Sequence, residues 1–93
     1  MSKKILIVDD EETSRRILTI ALEGRGHDLV YASDGEEAVA VALREQPDLI
    51  VMDIDLPKMN GYEAARRIRA LPGGDKVVLI AQSGWSVAPP EGR

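Results

Sequence analysis

The chain has 93 residues, no cysteine and a formal net charge of −4, with a hydrophobic fraction of 44% that suits one globular domain of modest core. The acidic balance argues against nucleic acid as a direct partner, and the absence of cysteine excludes disulfides, zinc thiolate sites and thiol catalysis. No apolar run approaches membrane-spanning length, and Met1-Ser2-Lys3-Lys4 leads straight into a strand rather than a signal peptide, so a soluble, cytoplasmic protein is expected.

In chain order, Lys4 to Val8 predicts a strand and Asp9 to Glu12 a loop. A helix follows from about Thr13 to Glu23, with Ile17, Leu18, Ala21 and Leu22 on one stripe and Gly24 and Gly26 as its stop. Asp28 to Ala32 is a second strand, partly polar. Ser33-Asp34-Gly35 turns the chain, and Ser33 or Asp34 can cap a helix that runs to about Glu45, burying Ala38, Val39, Ala42 and Leu43 before Pro47. Asp48 to Met52 is the most apolar strand and therefore central. A loop over Ile54 to Asn60 precedes a helix from Gly61 to Ala70, with Ala65 and Ile68 inward, which Pro72-Gly73-Gly74 breaks. Lys76 to Ala81 is a fourth strand, and the remaining residues to Arg93 form a tail containing Pro89-Pro90. Strands alternating with helices imply a parallel sheet with right-handed crossovers. Arg15-Arg16 and Arg66-Arg67 read as solvated helix faces, and His27 as a surface or loop histidine.

Two apolar runs end in carboxylates: Ile5-Leu6-Ile7-Val8 in Asp9-Asp10, and Leu49-Ile50-Val51-Met52 in Asp53. Such runs read as buried parallel strands, and ligand sites in open α/β sheets lie outside their C-terminal ends. Carboxylates converging there would repel by roughly 4 kcal/mol per close pair at moderate effective dielectric, which a bound cation relieves. All-oxygen ligands suit a hard ion, Mg²⁺ above all. The competing reading of Asp9-Asp10 is charge complementing a helix N-terminus.

Val8-Asp9-Asp10-Glu11, Asp34-Gly35-Glu36-Glu37-Ala38, Pro47 through Asp53, and Leu56-Pro57-Lys58-Met59-Asn60-Gly61 together resemble the receiver domain of two-component response regulators. The resemblance runs in register from Lys4 to about Gly84, giving a domain over 1–84 and a tail over 85–93. It implies an α/β, flavodoxin-like parallel sheet in the order 2-1-3-4 with three helices. It further implies that Asp53 is the phosphoacceptor, receiving a phosphoryl group from a sensor histidine kinase or phosphotransfer protein. Asp9 and Asp10 would be Mg²⁺ carboxylates, Asp10 the direct ligand, and the backbone carbonyl of Asp55 a further oxygen. Ser83 would be the switch hydroxyl on the phosphoryl group, although a serine at a strand end also serves as a turn former. Trp85 stands where access to the phosphoryl group is tuned, or covers apolar surface. The module expected is a signalling one, not an enzyme.

The family's fourth helix, fifth strand with its lysine, and fifth helix have no counterpart in these residues, so the expectation is a truncated receiver. Four strands at about 4.8 Å spacing make a sheet roughly 19 Å wide, and one helix of about 10–12 Å covers little more than half of a face. The bare face and the fourth strand's edge favour a homodimer. Two other functions stay open: a non-signalling dimerisation or interaction module, and a haloacid-dehalogenase-like phosphatase. The latter is suggested by Asp53-Ile54-Asp55, though Pro57 holds the fifth position of that motif.

Overall fold

The computed structural model describes residues 3–54, 56 and 59–82. Their order is β1 (Lys4–Val8), α1 (Glu12–Glu23), β2 (Asp28–Ala32), α2 (Gly35–Glu45), β3 (Leu49–Asp53), α3 (Gly61–Arg69), a 3-10 turn (Gly74–Lys76) and β4 (Val78–Gln82). The strands form one four-stranded sheet in the order β2-β1-β3-β4, every pair parallel, as the flavodoxin-like expectation required.

Alternation along the strands divides the core between the two faces of the sheet. Leu6, Val8, Ile50 and Met52 join Ala38, Val41 and Ala42 of α2 and Ala64 and Ile68 of α3 in the larger cluster. Ile5, Ile7 and Val51 point to the other face, where Leu18 and Leu22 of α1 pack on them. Burial on both faces explains why β1 and β3 read as unbroken apolar runs rather than alternating ones.

Local interactions set the ends of α2 and the start of α3. Asp34 accepts the backbone N–H of Glu37 at 2.8 Å, and Glu37 reaches back to the Ser33 N–H at 2.7 Å, a reciprocal arrangement close to a capping box. Asn60 caps α3 by accepting the Glu63 N–H at 2.9 Å. At the far end of α2, Gln46 adopts the left-handed conformation at φ 49 and its N–H returns to Ala42, one residue ahead of the expected stop at Pro47. Arg69 donates to the carbonyls of Gly74 at 2.8 Å and Val77 at 2.5 Å, fixing the turn that launches β4.

Several sequence expectations need correction. Val41 rather than Leu43 completes the buried stripe of α2, because that helix packs on α3 as well as on the sheet; Leu43 is 53% exposed. Ala64, one turn before Ile68, is the buried alanine of α3, with Ala65 half-buried at its flank. In α1, Leu18 and Leu22 meet the sheet while Ile17 and Ala21 face outward, since the helix packs over β1 and β2. The 3-10 turn absorbs Lys76, so β4 begins at Val78, and β3 runs one residue further than expected, to Asp53. Asp48 does not join the strand: its Oδ2 accepts the Lys4 N–H at 2.9 Å. His27 lies in the loop before β2, as expected, and accepts the Lys3 N–H through Nδ1 at 3.2 Å.

Candidate phosphoacceptor and metal site

Parallel pairing of β1 with β3 runs from Ile5 opposite Leu49 to Val8 opposite Met52. The next residue on each chain is therefore Asp9 on one side and Asp53 on the other. This strand pair is the topological switch point, because the chain leaves β1 toward β2 on one side and returns to β3 on the other. Asp9, Asp10 and Asp53 each offer a carboxylate oxygen, and these atoms lie within 4.8 Å of one another.

The environments of the three aspartates differ. Asp9 is 3% exposed and Asp53 8% exposed, whereas Asp10 stands in solvent. Backbone bonds hold Asp9: its N–H donates to the Ala32 carbonyl at 3.1 Å, and its Oδ1 accepts the Glu11 N–H at 2.9 Å. Burial is the main force raising the Asp9 carboxyl above its ordinary 3.8, opposed by the Glu11 N–H and reinforced by the charges of Asp53, Asp10 and Glu11. A buried carboxylate with like charges beside it is electrostatically primed for a cation. The donor set, carboxylate oxygens with open solvent on the Asp10 side, fits a hydrated hard divalent ion.

Main-chain bonds hold the described residues that follow Asp53. The Ile54 carbonyl accepts the N–H of Leu56 at 3.1 Å and of Gly61 at 2.8 Å, and the Leu56 side chain is buried in the larger core cluster. Two glycines permit this closeness. A Cβ on Gly35 would stand 2.5 Å from the Met59 carbonyl oxygen, and one on Gly61 would stand 2.7 Å from the Ile54 Cα. Both clashes are with backbone, so neither glycine tolerates a side chain without moving the loop.

Of the residues singled out in the sequence, Asp9, Asp10 and Asp53 come together at one end of the sheet. Asp55, Ser83, Trp85 and the 84/85 boundary lie outside the described residues. Sequence reasoning missed the close approaches of Gly35 and Gly61, for which an Asp-Gly and an Asn-Gly pair were the only signals. It also missed Ser14, buried in α1 and bonded to Glu11 at 3.0 Å.

The chain belongs to the response regulator receiver domain family, which matches residues 5–88. It is 52% identical over 69 residues to the alkaline phosphatase synthesis transcriptional regulatory protein PhoP of Bacillus subtilis, covering 74% of this chain and 29% of that protein. The DNA-binding response regulator MtrA of Mycolicibacterium smegmatis is 39% identical over 83 residues, covering 89% of this chain and 36% of that one. This chain thus spans about a third of the length of the curated relatives it matches. Among solved structures, the receiver domain of the sensor histidine kinase PA1611 from Pseudomonas aeruginosa superposes with a TM-score of 0.85 at 31% identity, over 100% of this chain and 76% of that one. That structure carries a magnesium ion in its active site cleft. As a receiver domain, this chain is a phosphoacceptor module of two-component signalling. Among the described residues no helix is long and apolar enough to cross a membrane.

Proposed function

We propose that Asp53 is the residue that accepts the phosphoryl group, with Asp9 and Asp10 holding Mg²⁺ beside it. The observation that carries this reading is the convergence of the three carboxylates at the β1–β3 switch point. In the transfer, a carboxylate oxygen of Asp53 attacks the phosphorus of a phosphohistidine, an acyl phosphate bond forms, and the bond to the donor imidazole breaks. Phosphoryl transfer asks the protein mainly for positioning and charge compensation. The loop bonds from Ile54 supply positioning at the acceptor's C-terminal side, and the Glu11 N–H orients Asp9. Bound Mg²⁺ would neutralise charge between the anionic acceptor and the anionic phosphoryl group. The Asp55 carbonyl would add a ligand and Ser83 a hydroxyl donor to the phosphoryl oxygen. The donor partner is a sensor histidine kinase or phosphotransfer protein, and the setting cytoplasmic.

The test is labelling by acetyl phosphate with Mg²⁺, read by intact mass and by release of the phosphoryl group with hydroxylamine, which cleaves acyl phosphates. A slow, single addition at most is expected for the wild type and none for Asp53→Asn. Labelling of Asp53→Asn would remove the assignment. Continuous release of inorganic phosphate from phosphomonoesters, retained on removal of the phosphodonor, would instead favour the phosphatase reading and an enzyme.

A second reading, self-association, draws on β4. It occupies one edge of the sheet among the described residues, and its Val78 and Ile80 are 58% and 48% exposed. If about 500 Å² of apolar area in all were covered between two subunits, burial at roughly 25 cal/mol/Å² would favour association by about 12 kcal/mol. The cost of association is of order 4–15 kcal/mol, so a homodimer through this edge is the proposed assembly. Light scattering at two concentrations tests it, with Val78→Lys expected to lower the mass and a monomeric wild type at high micromolar concentration counting against it.

A further inference from the structure

Ser14 is the buried residue of α1, only 4% exposed although it is polar. A hydroxyl so buried needs a partner, and Ser14 Oγ donates to Glu11 Oε1 at 3.0 Å. Glu11 occupies the N-cap position of α1 but makes no side-chain bond to the helix backbone, so its carboxylate is committed to Ser14 instead. The same residue's N–H donates to Asp9 Oδ1 at 2.9 Å. A continuous chain of bonds therefore runs from inside α1, through Glu11, to the most buried carboxylate of the site. Glu11 does not itself belong to the group of converging carboxylates.

We propose that Ser14 and Glu11 are positioning residues for the cation pocket: the Ser14–Glu11 bond fixes the Glu11 peptide, whose N–H sets the rotation of the Asp9 carboxylate. The two oxygens of a carboxylate are rigidly linked, so one directed bond to Oδ1 orients both. Hydrogen bonds that orient ligands in this way commonly change metal affinity by about 10–100-fold when removed. The inference rests on the phosphoacceptor reading above.

Mg²⁺ titration of the full chain by calorimetry, with amide exchange of Glu11 measured without metal, tests it. Ser14→Ala and Glu11→Ala are each expected to weaken Mg²⁺ binding about tenfold and to speed exchange at the residue 11 amide. Ser14→Thr, which keeps the hydroxyl, and Glu11→Gln, which keeps the acceptor but not the charge, are expected to bind within about twofold of wild type on the same reasoning. Should Ser14→Ala fail to fold, Glu11→Ala carries the test, because that side chain lies nearer the surface. Wild-type affinity in Glu11→Ala, or a loss in Glu11→Gln equal to that in Glu11→Ala, would overturn the positioning role while leaving the phosphoacceptor reading intact. A wild type that takes up no Mg²⁺ would overturn both.

Discussion

Gly61 lies against the main chain of Asp53, so closely that a Cβ at position 61 would stand 2.8 Å from the Asp53 carbonyl oxygen. The start of α3 and the acceptor are thus one packed unit. Gly61→Ala is expected to destabilise the fold by about 1–3 kcal/mol, the usual range for forcing atoms into a packed site. The urea midpoint should fall with unchanged slope, and labelling of Asp53 should slow. Gly24→Ala is the control: its Cβ meets nothing nearer than 3.9 Å, and a change within about 0.5 kcal/mol is expected.

Mg²⁺ should raise the melting temperature of the wild type. A ligand present at a hundred times its Kd stabilises by about 2.7 kcal/mol. Asp10→Ala should abolish that response, and without Mg²⁺ it should be no less stable than wild type, because a like charge has been removed from the cluster. A full Mg²⁺-dependent shift in Asp10→Ala would exclude this residue as a ligand.

Asp9 gives the pocket a pH signature. Its carboxyl is raised above 3.8, first by burial and then by neighbouring charge, so the folded protein holds this proton more tightly than the unfolded chain. The contribution to stability is therefore fully present below the unfolded value and is lost as pH rises through the raised folded value. Without Mg²⁺, Asp9→Asn should gain on wild type as pH climbs from 3.8 toward neutrality. Its amide oxygen can still accept the Glu11 N–H. Urea midpoints across that range check the sign, and a wild type that gains on the variant with rising pH would contradict it.

Arg69 ties two carbonyls of the turn before β4. Arg69→Ala should cost about 1–2 kcal/mol, near the lower end for charged hydrogen bonds because the site is partly open to water. Lysine at 69 should recover part of this, since both carbonyls bond a single nitrogen, Nη1, and an ammonium also offers more than one N–H. Arg66→Ala removes only an exposed pair with Glu63 and should stay within about 0.5 kcal/mol in chemical denaturation.

The parallel sheet and the acidic triad were legible because they rest on chain-wide patterns, while the strand order came only through the resemblance to receiver domains. Unbroken apolar runs before Asp9 and Asp53 encode strands buried on both faces, and the carboxylates at their ends encode the site. Finer points depended on neighbours that no local pattern reveals. Leu43 and Val41 are both apolar, and only the docking of α3 decides which is covered. Ser14 carries no signal of its own in the sequence, although Glu11 three positions earlier is the spacing that lets the two side chains meet. Lys76 read as the start of a strand because the Arg69 guanidinium, which shapes the preceding turn, comes from another element.

The central pairing of β1 with β3 also sets the order of assembly. Lys4 and Asp48, bonded at the opposite end of these strands from the acidic cluster, are separated by 44 positions, so this seam closes a loop of nearly half the chain. Non-local closures of that kind are slow steps in folding. Asp9 and Asp53 meet only as the seam zips shut, which places their mutual repulsion on the docking of β3 rather than on the β1–α1–β2 crossover unit. Salt, which screens the exposed part of that repulsion, should accordingly speed refolding more than it slows unfolding.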